Sequence, residues 1–123
     1  MEKKEKSRKL CQTMIDTPGV LELFKNEARC TLLYDELTHD RNPEVIERLY
    51  DKKLQKYVKA TRTYPARQSL LYAYYTYYDV NEKKANACYE TLKKLVDTHA
   101  IKVEALIELE NVKKLKSQAE ENA

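Results

Sequence analysis

Apolar residues recur three and four positions apart along most of the chain, the period of a helix packed on one side. Lys3 to Ile15 predicts a first, charged helix with Leu10, Cys11, Met14 and Ile15 on one side. Asp16 or Thr17 then supplies a capping oxygen, and Pro18 suits the first position of a second helix over about residues 19–38. Val20, Leu23, Phe24, Thr31 and Leu32 share a face of that helix, and Leu33, Tyr34 and Leu37 widen it. A surface that broad implies contact on two sides. Residues 39–42 read as a turn, after which Asn42 as cap and Pro43 at the first position start a third helix. Its stripe is the cleanest in the chain: Ile46, Leu49, Tyr50, Leu54, Tyr57, Val58 and Thr61. Pro65 ends it, because the residue before a proline resists helical dihedrals.

The fourth helix, about residues 66–78, is the tyrosine helix: six of the ten tyrosines fall between Tyr64 and Tyr78. Asp79, with Glu82 three residues on, resembles a capping box and opens a fifth helix. The inner face of the fifth carries Ala85, Cys88, Leu92, Leu95 and Val96. Asp97-Thr98 caps a sixth, with Ile101, Ala105, Leu109 and Val112 inward. After about Lys116 the chain turns polar and is expected to fray. The expected organisation is one helical-repeat domain over residues 1–116 and a frayed polar tail over residues 117–123.

The helix junctions recur. Ile15-Asp16-Thr17-Pro18, Thr61-Arg62-Thr63-Tyr64-Pro65 and Val96-Asp97-Thr98-His99 each end one amphipathic helix and start another. The step from Pro65 to His99 is about 34 residues, the length of a tetratricopeptide unit, while that from Pro18 to Pro65 is about 47. Residues 64–96 resemble a tetratricopeptide repeat through Leu71, Ala73-Tyr74-Tyr75, the turn Asp79 to Glu82, Lys84-Ala85 and Tyr89. That resemblance implies an all-α, right-handed stack of about five or six antiparallel helices. A second resemblance runs through Glu47 to Tyr57 and Arg67 to Tyr75, which look like the soluble helical tail of bacterial site-2-protease-type membrane proteins. It implies a regulatory domain excised from the cytosolic part of a membrane protein. The protease signature His-Glu-x-x-His does not occur in the chain.

Composition narrows the class. One Gly and three Pro in 123 residues leave little room for the turns of an all-β fold. A net charge of +3 and a pI near 8.6 fall short of a dedicated nucleic-acid binder. No apolar run approaches the roughly 18 residues of a membrane span. The basic residues 1–9 are not followed by an apolar signal region. Cys11, Cys30 and Cys88 are odd in number and lack metal or redox spacing, which reads as reduced thiols in a cytoplasmic protein.

Candidate chemistry is sparse. Glu36 and His39 form a Glu-x-x-His, a di-iron bundle element that needs a second copy, and the other histidine, His99, has Val96 at the matching position. The cysteines lie on or beside apolar stripes, where Cys behaves as a small hydrophobe. One glycine cannot build a phosphate loop. No enzyme, metal or cofactor is therefore expected. Lys52, Lys53, Lys56, Lys59, Arg62 and Arg67 form an acid-free basic run interleaved by Tyr57 and Tyr64. Such a run would suit a nucleic-acid backbone, but the stripe spacing puts Tyr57 in the core.

The favoured reading is a non-enzymatic scaffold that binds a protein or peptide. The alternatives are the regulatory domain above and a weakly basic nucleic-acid-binding helical domain. Tyr74 and Tyr78, four apart, read as core. Tyr72 and Thr76 share another face, which in a tetratricopeptide array lines the concave groove or, alternatively, lets Tyr72 touch the preceding helix. The candidate groove has Tyr72 at its centre and Arg67 and Lys59 at its rim. Arg67 opens a helix, where the macrodipole disfavours a cation, so pairing with an acid across the groove is expected. The positive excess from Lys52 to Arg67 would then attract an acidic peptide or partner face.

Overall fold

The computed structural model describes residues 2–97 and 102–121. Among these the chain is all-helical, with no strand. Its helices are α1 (Glu2–Asp16), α2 (Glu22–Thr38), α3 (Pro43–Leu49), α4 (Lys52–Ala60), α5 (Pro65–Tyr77), α6 (Glu82–Leu95) and α7 (Lys102–Glu121). The chain divides into two compact units, Met1–Val58 and Lys59–Ala123. Thr98, His99 and Ile101, which figure in the expected sixth-helix cap, inner face and repeat step, lie outside the described residues.

In the first unit α2 packs against both α1 and α3. The second helix starts at Glu22, not Gly19, because Gly19 adopts the left-handed region at φ 87° and turns the chain. Leu21 becomes the N-cap residue and Pro18 sits in the preceding turn rather than at the first helical position. The buried stripe of α2 is correspondingly later than expected: Ala28, Cys30, Leu33 and Leu37, with Glu36. Leu23 and Phe24, in the first turn, remain 55% and 51% exposed. Beyond α2, Arg41 takes the left-handed region at φ 56°, which a non-glycine residue adopts at a cost. Its N–H donates to the Glu36 carbonyl at 2.7 Å and its Nε to the Leu37 carbonyl at 3.1 Å, closing the helix end. Asn42 then caps α3, its Oδ1 accepting the Glu44 N–H at 3.0 Å.

The expected third helix is broken in two. Tyr50 leaves helical dihedrals at ψ 58°. Asp51 restarts the helix, its Oδ1 accepting the Leu54 N–H at 2.9 Å, while Gln55 Nε2 donates to the Tyr50 carbonyl at 3.0 Å. An aspartate so placed competes with helix continuation by capping a new one. Leu54 and Val58 of α4 are fully buried. α4 stops at Ala60, so Pro65 opens α5 rather than ending the helix before it.

In the second unit α5 packs against α6 and α7, and α6 against α7. Asn81, not Asp79, caps α6: its side chain accepts the Lys84 N–H at 3.0 Å. Ala85, Cys88 and Leu92 face inward from α6 as expected, and Ala105, Leu109 and Val112, joined by Leu115, from α7. α7 continues through residues 117–121, which their polarity predicts to fray.

Leu54→Ala and Leu92→Ala should each lower the unfolding free energy by about 2–5 kcal/mol, as large-to-small changes at fully buried sites. Asp51→Ala should cost about 1 kcal/mol through loss of the α4 cap, and Lys56→Ala, at an exposed position, less than about 0.5 kcal/mol. Urea unfolding measures all four. A Lys56→Ala loss equal to that of Leu54→Ala would mean that α4 presents its other face to the core.

Candidate ligand-binding groove

The second unit holds an open groove of about 710 Å³ walled by the end of α5, the start of α6 and the end of α7. Three short-range features of the sequence shape it. Tyr72 and Thr76 lie four apart on α5, and the Thr76 hydroxyl donates back to the Tyr72 carbonyl at 2.7 Å. Ala85, the first inward residue of α6, leaves room beside them. Ala119, four residues after Leu115, continues the inner stripe of α7 and supplies the far wall.

Tyr72 is only 6% exposed and forms the floor. Burial pushes its hydroxyl pKa up, while a hydrogen bond with Thr76 acts the other way. Tyr75 lines the groove with Lys84 Nζ 5.3 Å from its ring centroid. Lys116 also lines it and stands 4.8 Å from the ring centroid of Tyr89, which Lys93 approaches at 5.1 Å. Cation–aromatic contacts of this kind hold a long side chain in place at about 0.5–1 kcal/mol each. Val80, 75% exposed, stands at the mouth in the α5–α6 turn. The rim carries both signs of charge, Lys83 and Lys116 beside Glu82 and Glu120.

Of the four candidate site residues the groove gathers Tyr72 and Thr76 but not Arg67 or Lys59. Arg67 is 4% exposed and does not line the groove; its Nε donates to the Thr61 hydroxyl at 2.9 Å, so it secures the 61–64 turn. Lys59 is exposed at the end of α4 and lines no wall of the groove. Tyr74 and Tyr78 are half-buried rather than core, their rings 5.5 Å apart, and the buried tyrosine is Tyr72. Of the basic run, Lys52, Lys53, Lys56, Lys59 and Arg62 are exposed. The hydroxyl of Tyr57 donates to the Glu27 carboxylate, which turns that ring inward rather than toward a ligand.

The other candidate groups are occupied structurally. Glu36 is buried and accepts the Asn42 N–H at 3.1 Å, whereas His39 is exposed with Nδ1 3.1 Å from Asp35 Oδ1, so the Glu-x-x-His pair does not converge. Cys30 and Cys88 are buried and Cys11 half-buried, none in a disulfide. Burial pushes the Cys88 thiol up to about 11. The Cys11 thiol is also raised, by burial first and then by the charge of Asp35. Comparison with protein-family models, curated proteins and solved structures finds no match to this chain.

The raised Cys88 pKa leaves almost no thiolate near pH 8, so native Cys88 should react with iodoacetamide far more slowly than in urea. The folded form holds its proton more tightly than the unfolded one. This stabilisation is complete below the ordinary thiol value of about 8.5 and is lost as pH rises through about 11. A Cys88→Ser comparison isolates that loss. Labelling of Cys88 at the same rate in native and unfolded protein would refute the inward placement.

Proposed function

We propose that the chain is a non-enzymatic helical scaffold that binds a protein or peptide segment, with the groove between α5, α6 and α7 as its site. The observation that carries this reading is the groove's make-up: a floor of Tyr72, Thr76, Ala85 and Ala119 beneath a rim of both charge signs. A peptide in such a groove buries apolar side chains against the floor and pairs either charge at the rim. Shape adds support. α5 and α6 pack as neighbours across a short turn, and α7 lies against both, as the first helix of a following unit does in a tetratricopeptide stack. A right-handed tetratricopeptide-like stack is the arrangement proposed for this unit. The buried thiols outside disulfides suit a reducing compartment such as the cytoplasm.

Selection of a random peptide library against the native protein should enrich sequences with aromatic or aliphatic anchors. Asn86→Trp fills the groove from an exposed position and Val80→Asp charges its mouth. Each should weaken the selected peptides by about tenfold or more with the dichroism spectrum unchanged. Peptides held equally by all three proteins would rule the groove out as the site.

A further inference from the structure

The first unit carries a second groove of different character. It measures about 710 Å³ and runs between α1 and α3 with α2 beneath. Its apolar strip is Leu32 of α2 with Val45 and Leu49 of α3, all half-buried. Lys6 and Lys9 of α1 and Arg48 of α3 are exposed along it, so cations stand on both sides of the strip. None of the three is in an ion pair among the described residues.

The remaining charges leave that excess intact. Arg8 lines the groove but is turned to the end of α2: its Nε donates to Asp35, and its Nη1 and Nη2 to Asp40 at 3.2 and 3.3 Å. Glu36 is buried and holds the Asn42 N–H. Glu5 is the one exposed acid on the lining, set against the three exposed cations. Arg8 thereby fixes α1 beside α2 and keeps Lys6 and Lys9 poised over the strip.

We infer that this groove docks an amphipathic, acidic helix of a partner protein. Leucine-like side chains at positions i, i+3, i+4 and i+7 would lie on Leu32, Val45 and Leu49, and flanking carboxylates would meet Lys6 and Lys9 on one side and Arg48 on the other. Charge complementarity on both walls selects an acidic helix over a basic one. The lining contains no aromatic ring on which a base could stack. The apolar strip is recessed between helices, where a bilayer surface does not reach. The surface lies in the first unit and does not rest on the function proposed for the groove of the second.

The test is fluorescence anisotropy with a labelled synthetic peptide of about 20 residues, long enough to form a helix. It has leucines at the stated spacing and glutamates elsewhere, and its counterpart has lysines for the glutamates. The glutamate peptide should bind the native protein and the lysine peptide should not. Lys6→Glu/Arg48→Glu should weaken binding by about tenfold or more, and Lys6→Gln/Arg48→Gln by an intermediate factor. Lys83→Glu, in the other groove, should bind as native protein does. Raising ionic strength from about 0.05 M to about 0.5 M should weaken the complex. Equal binding of both peptides, no binding of the glutamate peptide, or indifference to the double charge reversal overturns the inference. Capture of phosphatidylserine vesicles in place of the glutamate peptide overturns it in favour of a membrane surface.

Discussion

The second unit depends on one constraint: α5 is buried nearly all round at its start. Pro65, Arg67, Gln68, Ser69, Leu70, Tyr72 and Ala73 are all removed from water. A helix with one covered face cannot bury consecutive residues, so α5 requires α6, α7 and the 61–64 turn together. Its polar side chains add a stricter demand, because each buried donor left without a partner costs about 1–3 kcal/mol. Arg67 reaches Thr61, Gln68 Nε2 reaches the Arg62 carbonyl at 2.5 Å, and the Ser69 hydroxyl reaches the Glu108 carboxylate at 2.5 Å. Asn111 Nδ2 donates to the other Glu108 oxygen at 3.1 Å, orienting that carboxylate. The turn and α7 are thus held by polar contacts to α5 as well as by apolar packing.

The tyrosines follow from the same constraint relaxed along the helix. Where α5 is most enclosed, one tyrosine, Tyr72, is buried. Where it emerges, Tyr74, Tyr75 and Tyr78 are half-buried, as is Tyr77, whose hydroxyl is enclosed. A tyrosine suits such positions because its ring can be dry while its hydroxyl reaches polar surroundings. The groove opens at this transition, where α5 loses cover but α6 and α7 still flank it. The one ring in its floor, Tyr72, thus lies where the helix is still covered, and the charged rim lies where it is not.

Periodicity made the helices legible, and with them most of the inward faces of α6 and α7. Ala85, Cys88 and Leu92 repeat at helical spacing with no competing apolar face. What the pattern did not carry was where helices break. The stripe from Ile46 to Thr61 reads as continuous because Leu54 and Val58 keep its period after the chain has stopped and restarted at Asp51. The aspartate was the signal, as was Asn81 for α6; a cap is one residue among many polar ones, and periodicity outweighs it. Arg67 misled for a related reason. A cation at a helix start reads as exposed, yet Arg67 is buried and reaches Thr61 in the 61–64 turn, a loop that no periodic pattern describes. The far wall of the groove was legible in principle, since Ala119 extends the series of Leu109, Val112 and Leu115, but its polar neighbours masked it.

The core and the groove mouths fall on different residues in both units. The side chains that hold the fold are enclosed, and their replacement leaves cavities. Those that line the mouths of the two grooves, Val80, Lys83 and Asn86 in one and Lys6, Lys9 and Arg48 in the other, are exposed. An exposed ion pair adds little to folding, about 0–1 kcal/mol, so these positions are free to be set by what they meet. They are set differently. The second unit mixes Lys83 and Lys116 with Glu82 and Glu120, which favours neither charge, whereas the first leaves three cations facing an aliphatic strip. A rim of one charge sign attracts segments of the opposite sign and repels segments of its own. The two grooves therefore differ in rim charge, mixed in the second unit and cationic in the first, and it is on this difference that the two proposed occupants differ.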